Sequence, residues 1–308
     1  MKKTVALVLT SGSARGLAHI GAIEEILERG YEIKVISGSS MGAVVGGLLA
    51  ADKLELYRDW MITLSRMDVF NLFDFSFSSA GLLKGERVFE EMARLLGDAQ
   101  IEDCTIPYTA VVTDLITKKE LWLRKGSLFK AIRASVAIPT IVTPVYTDTQ
   151  ILVDGGVLNP MPIEPVLEYD YDLLIVVNTH ADIPYKKSYE PSKQEKKDAE
   201  VYEGRLAQFR KKYSKYLTLY SSTPNTDILP RIERLGSMSL LSKAVDLMEN
   251  RIIELSLEKH HPDIVIPVSR EVCTMFEFYK AKETIEAGRA AAKETLDNFE
   301  AQLAKREL

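Results

Sequence analysis

The sequence predicts an α/β fold with a parallel-rich sheet, and three observations carry that prediction. Residues 4–9, TVALVL, form an uncharged, nearly all-apolar run, as expected of a parallel strand covered on both faces. A glycine-containing loop, an amphipathic helix and a second apolar run at 33–36 follow, so the order is β-α-β. Residues 33–51, IKVISGSSMGAVVGGLLAA, then read as strand, tight turn and buried helix.

Each element has a local reason. The first helix spans about 17–29, with Ile20, Ile23, Ile26 and Leu27 on one side, Glu24, Glu25 and Glu28 on the other, and Gly30 as a stop. Helical spacing continues over 54–67. Residues 68–83 break the pattern and hold Phe70, Leu72, Phe73, Phe75 and Phe77. They read either as packing under a loop or as a lid or acyl-chain surface beside an active site. Gly85 precedes an amphipathic helix at 86–96; strands are expected at 108–113 and 120–123, and a helix at 127–135. Further strands fall at 150–153, 173–178 and 264–268. The lysine- and proline-bearing stretch 181–197 reads as a solvated connection, with a lipid-headgroup patch as the sharper alternative. Long helical patterns cover 198–220, 237–258 and 274–308.

Composition narrows the function classes. A net charge of −5 argues against a nucleic-acid binder and gives no global attraction to an anionic membrane. Two cysteines, Cys104 and Cys273, make no disulfide framework and lack metal-ligand spacing, so reduced thiols in a cytosol are expected. No stretch approaches the roughly 18–20 apolar residues of a membrane span, and lipid contact is expected to be peripheral. Met1-Lys2-Lys3 imitates the start of a signal peptide, but the apolar run after it is too short for one.

The turn Gly38-Ser39-Ser40-Met41-Gly42 has the G-x-S-x-G spacing of a nucleophile elbow. A serine at a sharp strand-to-helix turn stands clear of the sheet, and both flanking glycines let backbones approach where a Cβ would collide. The new helix points its N-terminus at Ser40, where free N–H groups favour a developing negative charge. The same residues also fit a glycine-rich turn capped by Ser39 or Ser40. A nucleophilic serine needs a base. Asp154, at a strand end and followed by Gly155 and Gly156, has an uncrowded carboxylate; a β-turn aspartate before glycine is the plainer reading.

Together these blocks resemble the bacterial patatin-like phospholipases. The resemblance rests on Ser11-Gly12-Ser13-Ala14-Arg15-Gly16-Leu17-Ala18-His19-Ile20-Gly21, Gly38 to Gly42, and Thr113-Asp114-Leu115. It continues through Arg133-Ala134-Ser135 with Ala137, Pro139 and Pro144, then Asp154-Gly155-Gly156-Val157 with Asn159 and Pro162. Phe276-Glu277-Phe278 and Ala287-Gly288-Arg289 are similar to the closing segment of bacterial members. It implies a three-layer α/β/α patatin-like core at 1–183, a helical insertion or cap at 184–240, and a return to the core at 241–308. It also implies a serine acyl hydrolase acting on phospholipid or lysophospholipid esters through a Ser40–Asp154 dyad, with no metal and no cofactor. The expected location is cytoplasmic or membrane-peripheral.

The resemblance further implies an oxyanion hole from the backbone N–H groups of Gly12, Ser13 and Ala14, with Arg15 as loop support or a headgroup contact. Here the chain departs from the family, which carries three glycines where this sequence has Ser11, Gly12 and Ser13. Losing one oxyanion donor costs about 3–4 kcal/mol of transition-state stabilisation, so the departure matters. Of four histidines, His19 is expected to be packed, His260 and His261 to form an exposed turn, and His180 is the one candidate for a triad. Asp114 is expected to be structural, orienting a loop near Ser40. Two other classes stay open: acyl transfer or peptide hydrolysis on the same dyad, and a lipid-binding regulator without turnover.

Overall fold

The computed structural model describes residues 3–72, 75–78, 81–83, 86–185, 197 and 237–306. The expected helix at 198–220 and most of the expected connection and cap lie outside these residues.

Among the described residues the main sheet has eight strands. They are β1 (Thr4–Leu9), β2 (Glu32–Ser39), β5 (Tyr108–Asp114), β6 (Lys119–Leu123), β7 (Val145–Tyr146), β8 (Ile151–Asp154), β9 (Leu173–Ala181) and β10 (Ile264–Ser269). Two more, β3 (Phe75–Ser78) and β4 (Gly81–Leu83), form a separate antiparallel pair. The main sheet runs β10-β9-β1-β2-β5-β8-β7, with β6 also on β5. The first five are parallel; β6 and β8 pair antiparallel to β5, and β7 antiparallel to β8. Val5 to Leu9 are fully buried, which is why their sequence is continuous rather than alternating.

Among the described residues the helices are α1 (Ala18–Glu28), α2 (Met41–Ala50), α3 (Leu54–Thr63), α4 (Arg66–Leu72), α5 (Glu86–Leu96), α6 (Leu128–Ser135), α7 (Ser237–His260) and α8 (Ala281–Arg306). One buried cluster joins Leu7, Leu9, Ile36, Val177 and Ile266 of the sheet to Ile20, Ile23, Leu48 and Leu296 of the helices. A second packs Ala6, Val8 and Val176 against Met161, Ile163 and Ile253 of α7. Apolar side chains from opposite sides of β1 thus enter different clusters, with helices on both faces: the α/β architecture expected.

Two expected helices are corrected. The pattern at 54–67 is two helices, because Leu64 is extended and Ser65 starts a new one. The Ser65 N–H and hydroxyl both donate to Asp68, and the Asp68 N–H donates back to the Ser65 hydroxyl, which is a capping box. At the C-terminus, α8 starts at Ala281 rather than near 274; Glu277 accepts the Thr274 N–H and holds that segment in a turn.

α8 crosses α1 backbone to backbone. A Cβ on Gly21 would lie 1.9 Å from the Ile285 carbonyl oxygen, and one on Gly288 would lie 1.9 Å from that of Ala18. Arg289 reaches Glu24 and Glu28 of α1, and Arg29 reaches Asp297 and Glu300 of α8.

The edge of β5 positions the site. β6 takes one edge along residues 110–114. On the other, β2 pairs with 108–111, ending at Ser39 opposite Val111; β8 pairs with 112–114, ending at Asp154 opposite Val112. β2 runs parallel and β8 antiparallel, so the two C-terminal ends meet head-on.

Candidate active site

Ser40 is the residue at which β2 turns into α2. Its φ of 54° and ψ of −122° are sparsely populated for a residue with a Cβ, and such strain persists only where the surroundings enforce it. They do so here. A Cβ on Gly38 would lie 2.3 Å from the Gly42 carbonyl oxygen, and one on Gly42 would lie 2.2 Å from that of Leu9. The Ser40 N–H donates to Ser135 Oγ (2.9 Å), and the Ser135 hydroxyl donates to the Val111 carbonyl (2.7 Å). The elbow is thereby tied to β5.

Asp154 completes the meeting of strands. The Ser40 hydroxyl donates to Asp154 Oδ2 at 2.6 Å, and the Gly156 N–H donates to Oδ1 at 2.7 Å. Asp154 is 4 % exposed. Burial pushes its pKa up to about 7, against the opposing pull of the Ser40 hydroxyl and the Gly156 N–H. Gly155 has a steric reason: its Cβ would lie 2.2 Å from the Val111 carbonyl oxygen.

The loop after β1 runs alongside. The Ser11 carbonyl accepts from the Thr179 hydroxyl (2.6 Å) and from His180 Nε2 (2.9 Å), and the Ser11 N–H donates to Pro160 (2.9 Å). The N–H groups of Gly12 and Ser13 have no hydrogen-bond acceptor among the described residues. The Ala14 N–H faces the Met275 carbonyl at 3.3 Å, so the free pair is Gly12 and Ser13. Ser13 has a φ of 49°, the left-handed conformation that glycine adopts without cost. Ser13→Gly is therefore expected to stabilise the protein by about 0.5–1 kcal/mol, read as a higher urea midpoint at unchanged m-value.

Other residues fall apart from the expectations. His180 bonds Ser11, while both Asp154 oxygens are taken by Ser40 and Gly156, so no Ser–Asp–His triad forms. Burial, then the Arg15 charge, lowers the His180 pKa to about 3. His19 is buried, as expected, with Nε2 2.8 Å from the Thr10 carbonyl. His260 is not an exposed turn residue: it ends α7 against Glu164, 2.9 Å away. Asp114 is structural but serves elsewhere, binding Ile116, Thr117 and Ile151 rather than the elbow. Arg15 reaches Asp246 of α7 at 3.4 Å.

Two residues at the site escaped the sequence reading as chemistry. Ser135 appears above only as part of a resemblance. Glu249 is one of several glutamates on a long helix, and nothing in its spacing separates it from them.

Ser40 and Ser13 open onto a cavity of about 120 Å³. Its walls are aliphatic and aromatic, including Val44, Met61, Val69, Met92, Ile132 and Phe278. Val69 and Leu72, at the start of the aromatic-rich stretch, contribute to it.

The chain resembles an uncharacterized NTE family protein of Mycobacterium tuberculosis, at 33% identity over 96% of this chain and 92% of that one. It is 30% identical to the mouse patatin-like phospholipase domain-containing protein 6, over 52% of this chain but only 12% of that protein. Among solved structures, VipD from Legionella pneumophila aligns at 12% identity and a TM-score of 0.46, over 97% of this chain and 67% of that one. The patatin-like phospholipase family model matches residues 7–167, from β1 past the Asp-Gly-Gly turn. With a full-length relative at that identity and the model spanning both halves of the site, this chain belongs to the patatin-like phospholipase family, a family of lipid ester hydrolases.

Proposed function

We propose that the chain hydrolyses the carboxylic esters of phospholipids or lysophospholipids through a Ser40–Asp154 dyad. The observation that carries this is the 2.6 Å hydrogen bond between a strained, buried serine and a buried carboxyl, opening onto an apolar cavity. Asp154 takes the hydroxyl proton as Ser40 Oγ attacks the ester carbonyl. The Gly12 and Ser13 N–H groups face the oxyanion. The tetrahedral intermediate collapses, the C–O bond to the alcohol breaks, and Asp154 returns the proton to the leaving alkoxide. Water, deprotonated by Asp154, then cleaves the acyl-enzyme to the free acid and serine. An ordinary aspartate at about 3.9 is a poor base for this. The burial of Asp154 brings its basicity toward the operating pH, where general-base catalysis works best.

The apolar cavity takes the acyl chain. On this reading Met92→Trp, which fills it, lowers kcat/KM for long-chain relative to short-chain p-nitrophenyl esters by roughly 10- to 100-fold, from about 0.8 kcal/mol per lost buried methylene. An unchanged ratio would place the acyl chain elsewhere. Residues 1–183 with 241–308 are read as one catalytic body. The working surface is a lipid interface met from the cytosolic side.

The test is covalent labelling by a fluorophosphonate, with the modified residue mapped and turnover measured on a short ester, a phospholipid and casein. Labelling at Ser40 with ester turnover supports the proposal. Turnover of casein alone would make the protein a serine peptidase; lipid binding without turnover or labelling would make it a regulator.

A further inference from the structure

Helix α7 brings to the site a carboxyl that the ester chemistry above leaves unused. Glu249 Oε1 lies 2.7 Å from where a Cβ on Gly156 would stand, and Asp154 Oδ1 and the Ser11 Cβ are 3.1 and 3.2 Å from the same point. Only a glycine at 156 leaves room for it. Glu249 Oε2 is 3.9 Å from His180 Nδ1. His180 Nε2 faces the Ser11 carbonyl, which can only accept, so Nε2 carries the ring proton and Nδ1 presents a lone pair to Glu249. A carboxylate there would face that lone pair and a second carboxylate. A neutral carboxyl meets neither repulsion and still accepts from the Ser11 hydroxyl.

We propose that Glu249 is a positioning residue for the ester cleavage: in its neutral form it holds the Ser11–His180 end of the oxyanion loop against the Asp154-Gly155-Gly156 turn, and its ionisation disables the site. The inference rests on the Ser40–Asp154 reading above. The groups around the carboxyl come from four elements: Ser11 and Arg15 from the first loop, Asp154 from the end of β8, His180 from β9, and Asp246 from its own helix. Burial first, then the charges of Asp154 and Asp246, push Glu249 up to about 8, while Arg15 and the Ser11 hydroxyl pull it down. With Asp154 at about 7, the active state holds an ionised base beside a neutral acid. A second negative charge enters at higher pH, beside the Asp154 carboxylate and the Ser11 end of the loop.

The test follows the rate of fluorophosphonate labelling of Ser40 from pH 6 to 9.5 in the whole chain, as wild type, Glu249→Gln and Glu249→Leu. Wild type should rise through about pH 7 and fall above about pH 8, by about tenfold one pH unit further on. Glu249→Gln, which keeps a hydrogen-bond donor but cannot ionise, should keep the rise and lose the fall. Glu249→Leu should label about tenfold more slowly than Glu249→Gln at pH 7.5, because the polar partner of the Ser11 hydroxyl is gone. An identical alkaline fall in Glu249→Gln, or equal rates for the Gln and Leu variants, overturns the proposal. Melting curves of the same proteins supply a readout without chemistry. Wild type should lose stability relative to both variants as pH rises from about 5 to 9, and a constant difference overturns the inference. Absence of Ser40 labelling in wild type at every pH instead rejects the ester reading, and with it any role for Glu249 in catalysis.

Discussion

Asp154→Asn is expected to lower ester turnover by at least about 10³-fold and, at neutral pH, to make the protein more stable. On the proposed mechanism the loss follows from the base: the amide oxygen accepts the Gly156 N–H, leaving an NH2 toward Ser40 Oγ that cannot take its proton, and removing one member of such a unit costs on the order of 10³ to 10⁴. The gain follows from linkage. The carboxyl titrates at its ordinary 3.8 in the unfolded chain and at about 7 in the fold. Between those values the unfolded state is ionised and the folded state is not, so wild-type stability falls as pH rises through that window and levels off above it. Asparagine has no such dependence. The variant should match wild type near pH 4 and exceed it by about 2–4 kcal/mol at pH 8, taking 1.36 kcal/mol for each tenfold change in the proton equilibrium. Thermal melts at the two pH values check this, and a gap independent of pH would contradict the buried, neutral carboxyl. The wild-type rate should fall about tenfold per pH unit below about 7.

Gly288→Ala is expected to destabilise the protein by roughly 3 kcal/mol or more, with melting lowered by several degrees. The added methyl group would enter the Ala18 backbone, with its carbonyl oxygen 1.9 Å away, and no side-chain rotation relieves that. Either α8 moves off α1 or the crossing fails. Movement would separate Arg289 from Glu24 and Glu28, although each such partly exposed pair is worth only about 0–1 kcal/mol. The steric effect therefore dominates, and high salt should change the size of the loss little. A melting temperature within a degree or two of wild type would show that the two helices are not in backbone contact.

The readable parts of the sequence were those in which one local pattern has one physical solution. TVALVL can hardly be anything but a buried strand, and G-x-S-x-G after such a strand demands close backbone approach on both sides, which Gly38 and Gly42 provide. Asp154 was legible through its two glycines, whose steric causes are now visible as the Val111 carbonyl and the Glu249 carboxyl. The misread parts depend on distance rather than pattern. The break at Leu64 was encoded in Ser65 and Asp68 as a capping box, but the apolar spacing on either side concealed it. His180 stands at a strand end, as a triad histidine could, and only the fold turns it toward Ser11. Glu249 follows the Asp-Gly-Gly turn by more than ninety positions and enters on a helix whose outward face, with Leu247 and Met248 exposed, advertises nothing of what its inward face touches.

The head-on arrival of β2 and β8 along β5 makes the Ser40–Asp154 spacing a property of one ladder. The two residues are 114 positions apart in the chain, yet their strands end opposite adjacent rungs, so a single backbone step of about 3.3 Å sets their separation. Of the intervening polypeptide, β5 and Ser135 of α6 hold the two groups together. On the proposed reading, α3, α4 and α5 can lengthen, shrink or be exchanged to suit different acyl chains without recalibrating that spacing.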